Sequence, residues 1–153
     1  MDLQSGRSVS RKVNNILHRE TQEQNYQFDL TVNTVARLVS PGSLDFGGSE
    51  FKPAETETIE PQKRDPDDDY GWWNLDAGTY HIEYNETVQP DDHPVLLVPL
   101  QRLIQAGATH PTQIVTSKSD PLEMLLNVGN GGCNLKENCR VTGVYITNSE
   151  LSI

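Results

Sequence analysis

Apolar and polar residues alternate along this chain in short runs, a pattern that predicts many strands and little helix. Near the start, Val13, Ile16 and Leu17 recur at helical spacing among polar neighbours, which predicts one short amphipathic helix over 9–23. Residues 28–39, FDLTVNTVARLV, carry Leu30, Val32, Val35 and Leu38 among β-branched neighbours and end at the turn signal SPGS. They read as a strand, a bend and a second strand. Over 79–84 the alternation is strict, with Tyr80, Ile82 and Tyr84 on one face and Thr79, His81 and Glu83 on the other. The apolar run 95–98 is a strand stopped by Pro99, after which Leu100, Leu103, Ile104 and Gly107 describe one helical turn. Further strands are predicted over 112–115, 122–128 and 140–147, and the GNGG at 129–132 reads as a hairpin turn. Many short strands punctuated by turns predict an all-β barrel or sandwich.

Composition adds solvated chain to that picture. Only 35% of the 153 residues are hydrophobic and the mean hydropathy is -0.58, so one domain spanning 1–153 is expected to carry exposed segments beside its core. The stretch 51–69, FKPAETETIEPQKRDPDDD, holds three prolines and many acids and is expected to be an exposed loop outside the core. Its acids lack the glycine-punctuated spacing of a calcium loop. Acids outnumber Lys plus Arg by 22 to 12, and a net charge of -10 repels phosphate backbones, which argues against nucleic-acid binding. The apolar runs are too short to span a bilayer, and MDLQSGRSVSRK has no apolar stretch behind its charges, so a cytoplasmic protein without membrane contact is expected. Cys133 and Cys139 have no third cysteine or nearby histidine for a zinc site and are expected as free thiols, with a local disulfide as the alternative. His18, His81, His93 and His110 form no HxH or HxxxH pair, and no metal ligands are assigned. The adjacent Trp72 and Trp73 should face opposite ways on a strand.

Four stretches, in order, resemble the archaeal branch of the dUTPase and dCTP deaminase superfamily. They are FDLTV with PGSLDFGG (28–32 and 41–48), LDAGTYHIEYNETVQ (75–89), PLQRLIQAGAT (99–109) and NLKENCRVTGVYI (134–146). The resemblance implies a distorted β-barrel or jelly roll, a homotrimer, and active sites built between subunits. An active member would be a dUTP diphosphatase or a dCTP deaminase, working with Mg2+ on the substrate's phosphates.

Several positions of that chemistry are altered. Where the family's proline-led motif offers an arginine and two serines, this chain has Leu100, Gln101 and Arg102, so the arginine is displaced by two positions. The aspartate and tyrosine of the next motif align with Thr116 and Ser119, and a hydroxyl without a partner is no general base at neutral pH. Asp120 would supply the missing carboxylate only if this loop slid by several residues. The deaminase glutamate aligns with Asn127, while Glu123 lies about 13 Å earlier on the same face of a strand. Gly143 stands where a glutamine is expected, and the glycine-rich C-terminal arm of some dUTPases has no counterpart in the closing SELSI. Asp29, on the opening strand, is either a pocket residue or a carboxylate that caps backbone amides, and Asp45 shares that ambiguity. The nucleotide-binding candidates are therefore Asp29, Gln101, Arg102, Thr116 and Ser119, with Asp120 as the catalytic candidate. The favoured reading is an impaired enzyme, or pseudoenzyme, that binds dUTP, dCTP or a related nucleotide and acts as a regulator or as a partner subunit of an active paralogue. The alternatives are an active enzyme with relocated residues and a structural trimeric module. Convergence of Arg102 with Asp29 or Asp120 in one cleft would favour the active enzyme.

Overall fold

The structure is a computed structural model that describes residues 2–148. In chain order the elements are α1 (Gly6–Ser10), β1 (Val13–Asn14), α2 (Arg19–Gln22), β2 (Phe28–Ser40), β3 (Glu55–Ile59), β4 (Trp72–Leu75), β5 (Gly78–Tyr84), β6 (Thr87–Val88), β7 (Val95–Pro99), α3 (Gln101–Gln105), β8 (Ala108–Thr109), β9 (Gln113–Val115), β10 (Glu123–Val128), β11 (Cys133–Lys136) and β12 (Arg140–Ile146). The all-β expectation holds. The main sheet is antiparallel in the order β8-β10-β5-β2-β12-β7-β9, with β3 on β2, and it curls into a half-barrel. Two smaller pairs, β1 with β6 and β4 with β11, stand beside it.

The inward parity of each strand supplies the core. Phe28, Leu30, Val32 and Val35 of β2 are wholly buried, as are Ile82 of β5, Leu97 of β7, Leu126 of β10 and Val144 of β12. Truncating one such leucine to alanine removes about 2–5 kcal/mol of stability. Tyr80, Ile82 and Tyr84 point inward as their spacing predicts, and Trp73 is buried while Trp72 is half-buried. No helix among the described residues is long and apolar enough to cross a membrane.

Three expectations need correction. The amphipathic helix over 9–23 is two short helices around β1, because Val13 and Asn14 pair with Val88 and Thr87 and pull the chain into a ladder between them. The strand, bend and strand of 28–39 is one 13-residue strand whose register shifts at Asn33, so a bulge absorbs the bend while the ladder continues. The acidic stretch is not all loop: Glu55 to Ile59 alternates Thr with Glu and pairs along the far half of β2, leaving both glutamates exposed. The strand β11 is not among those the pattern predicts.

Candidate functional site

The site grows from the pairing of β2 with β12, where Thr31 lies opposite Arg140 and Asp29 opposite Gly143. Asp29 is only 3% exposed. Its carboxylate accepts hydrogen bonds from Gln27 Nε2 at 2.8 Å, Arg140 Nη1 at 3.1 Å and Gln24 Nε2 at 3.4 Å. Burial nevertheless holds its carboxyl above the usual range, against the pull of Gln27, Arg140 and Arg102. Gly143 makes this arrangement possible. A Cβ there would lie 3.2 Å from Gln27 Nε2 and 3.1 Å from the Tyr145 ring, so its absence leaves room for Gln27 to reach Asp29 while the Tyr145 hydroxyl donates to Gln27 Oε1.

Arg102 arrives from α3. The β7–β12 ladder brings Pro99 opposite Thr142, and the Leu100 amide donates to Val141 O, so α3 begins beside Arg140. Leu100 and Leu103 turn into the core and Arg102 turns outward. Two clefts adjoin at these arginines. One, of about 740 Å³, is lined by Glu23, Gln27, Asp29, Gln101, Arg102 and Arg140. The other, of about 450 Å³, also takes Arg102 and Arg140 and adds Thr21, Trp72, Lys136 and Asn138. Arg64 stacks on the Trp72 ring at 3.5 Å from its centroid, with Lys136 at 5.7 Å. A chain of net charge -10 thus gathers Arg102, Lys136 and Arg140 around one depression, an arrangement suited to a polyanion with a hydrogen-bonding organic group.

The sequence candidates divide between separate places. Asp29, Gln101 and Arg102 share the first cleft. Thr116 and Ser119 line a third, polar cleft of about 300 Å³ between β9 and β10 that contains neither arginine. Asp120 is exposed on the same loop and lines none of the three. Asp29 is a strand residue on a cleft, whereas Asp45 accepts from the amides of Gly48 and Glu50 and caps a turn. The closing residues SELSI lie outside the described residues. The donors at the arginines do not make a resident magnesium site: Asp29 is committed to Arg140 and two glutamines, Glu23 lies 3.7 Å from Arg19, and the second cleft is lined by Arg102, Lys136 and Arg140 with no carboxylate.

Sequence reasoning missed Glu86. Its carboxylate is wholly buried and accepts from the Thr31 amide at 2.8 Å, the Thr31 hydroxyl at 2.6 Å and Gln22 Nε2 at 2.8 Å, while burial raises its pKa. Gln22 also donates to Asp29 O, and Asn85 joins Thr31 to Asn138, so this node sets the floor of the second cleft. Period two held the signal, because residue 86 continues the inward parity of 80, 82 and 84. His110 is a core residue: Nδ1 lies 2.8 Å from Pro111 O and must carry the proton, leaving Nε2 to accept from Thr142 Oγ1, which in turn takes a hydrogen bond from Tyr84. Cys133 and Cys139 are free thiols, and burial pushes Cys139 up to about 11, which makes it a poor nucleophile.

No family model matches the chain. It is 32% identical over 132 residues to a probable deoxyuridine 5'-triphosphate nucleotidohydrolase of Methanococcoides burtonii, covering 84% of this chain and 74% of that protein. It is 30% identical over 142 residues to a protein of the same description from Methanosarcina acetivorans, covering 90% and 80%. Among solved structures it is similar to 2'-deoxycytidine 5'-triphosphate deaminase from Agrobacterium tumefaciens, with a TM-score of 0.69 at 11% identity. That likeness covers 95% of this chain and 48% of the deaminase chain, so this chain spans about half its length.

Proposed function

Because the chain belongs to the dUTPase and dCTP deaminase superfamily of deoxynucleotide metabolism, we propose that it binds dUTP or dCTP at Arg102 and Arg140 and turns it over poorly or not at all. The observation that carries this reading is the pair of guanidinium groups lining both of two adjoining clefts in an otherwise acidic protein. Each offers several N–H donors to phosphate oxygens, with Lys136 adding charge nearby. Trp72 gives the second cleft an aromatic face.

Poor turnover follows from what stands beside the arginines. Asp29 is the carboxylate nearest the chemistry, yet its oxygens are taken by Arg140, Gln24 and Gln27. To accept a proton from water it would have to give up those partners. Thr116 and Ser119 offer hydroxyls alone, in another cleft. On this account the chain is a nucleotide-binding regulator or the partner subunit of an active paralogue, assembled as a trimer in the cytoplasm.

A second reading rests on Asp120, which is exposed and so open to contact from a neighbouring subunit. Such a trimer would be an active dUTP diphosphatase or dCTP deaminase. The convergence of Arg102 with Asp29 in one cleft, though not by itself a water-activating arrangement, keeps this reading in play. The test is release of pyrophosphate and of ammonia from dUTP and dCTP with magnesium, at low and high salt, in the wild type and Asp120→Ala. The proposal predicts little or no turnover in either protein. Robust wild-type turnover lost in Asp120→Ala would establish the active enzyme instead.

A further inference from the structure

We propose that His81, Glu83 and Glu123 form a binding site for a divalent transition-metal ion, with Zn2+ as its best match, on the outer face of the β5–β10 pair. His81 and Glu83 lie two apart on β5 and so share the outward face, and Glu123 of β10 is the direct cross-strand partner of Glu83. One ligand atom from each of the three lies within 4.8 Å of the others, and His81 Nε2 is 3.2 Å from Glu123 Oε2.

Charge supplies the second argument. Like charges directly opposite across an antiparallel pair are destabilising, yet Glu83 and Glu123 face each other here. Among the described residues no lysine or arginine forms an ion pair with either. On the other side of β5, Glu83 and His81 are paired with Thr34 and Ala36 of β2, and His81 is itself paired with Leu125 of β10. Neither carboxylate thus has a cationic ladder partner, and a bound cation would offset both.

The donor set points to the class of ion. An imidazole nitrogen favours zinc and its first-row neighbours over magnesium or calcium, and two carboxylates complete three protein ligands with positions left for water. The ligand atoms already lie within 4.8 Å of one another, near enough to converge on one ion at bonds of about 2.0–2.2 Å. The site contains none of the residues that line the two arginine clefts, so it is independent of the proposed nucleotide site. Glu123 also lines the polar cleft of Thr116 and Ser119, which places the ion at that cleft's edge.

The full chain, freed of metal, is titrated with zinc salt by calorimetry and with cobalt(II) by absorption spectroscopy. One-to-one zinc binding is expected, weakened at least about tenfold in His81→Ala and in Glu123→Gln, since even groups outside the ligand shell are worth roughly 10–100-fold. Cobalt is expected to give weak visible bands without a thiolate charge-transfer band, which separates this site from Cys133 and Cys139. Glu83→Gln serves as the folding control: without metal it should melt no lower than the wild type, because it removes a like-charge contact, and it should lose the rise in Tm that zinc gives the wild type. Absence of one-to-one binding, binding unchanged by His81→Ala and Glu123→Gln, or a thiolate band would each overturn the proposal.

Discussion

The arginine wall and the loop between β9 and β10 both line clefts, but they are held in opposite ways. At the wall, Asp29 is fixed by Gln24, Gln27 and Arg140, Arg140 also donates to Thr21 O, and Glu86 ties Thr31 and Gln22 beneath them. On the loop, Thr116, Ser119 and Asp120 are exposed, and among the described residues their side chains have no hydrogen-bond partner. The difference separates a surface whose donors are set before a ligand arrives from one that needs a ligand or another chain to order it. Positions tied into the first by hydrogen bonds should change stability and binding together. Positions on the second should change neither in an isolated chain.

The sharpest way to break this contrast is at Glu86. Replacing it with alanine strands the Thr31 amide and hydroxyl and the Gln22 amide, and should cost about 3 kcal/mol or more in urea unfolding. Glu86→Gln tests its charge. Because the folded pKa is raised above the ordinary 4.5, Glu86 contributes its stabilisation fully below that value and loses it as pH rises through the folded pKa. The wild type should therefore lose stability upward from about pH 4.5, and the urea midpoint of Glu86→Gln should fall less over the same window.

Arg140→Ala comes next. It leaves the buried Asp29 carboxylate without its ion-pair partner, and because Arg140 is itself 26% exposed the loss should be about 2–3 kcal/mol rather than the full cost of breaking a buried pair. Adding Asp29→Asn should recover part of it, as a double-mutant cycle would show. Arg102→Ala separates binding from folding: its side chain is exposed, so unfolding should shift by no more than about 0.5 kcal/mol, while nucleotide affinity should fall about tenfold or more. The smallest effect belongs to Thr116→Ala and Ser119→Ala, each expected within about 0.5 kcal/mol of wild-type stability by the same unfolding assay.

Much of the wall was legible in the sequence and much was not, for reasons of distance along the chain. Strict alternation placed Tyr80, Ile82 and Tyr84, and motif order drew attention to Asp29 and Arg102. Arg140 acquired its role only through Asp29, 111 residues away, and Gln27 only because Gly143 leaves it space. Local periodicity cannot report such pairings. The same limit explains the N-terminal helix, broken by a two-residue ladder to Thr87 and Val88. It also explains the metal trio, whose spacing is cross-strand and so escapes any search for HxH or HxxxH.

The most direct test of the account is calorimetric titration of dUTP and dCTP into the wild type and Arg102→Ala. The account predicts saturable wild-type binding to at least one of them, weakened about tenfold or more in the variant. Equal affinity in the two proteins, or no wild-type binding, would show that the arginine wall is not the nucleotide site.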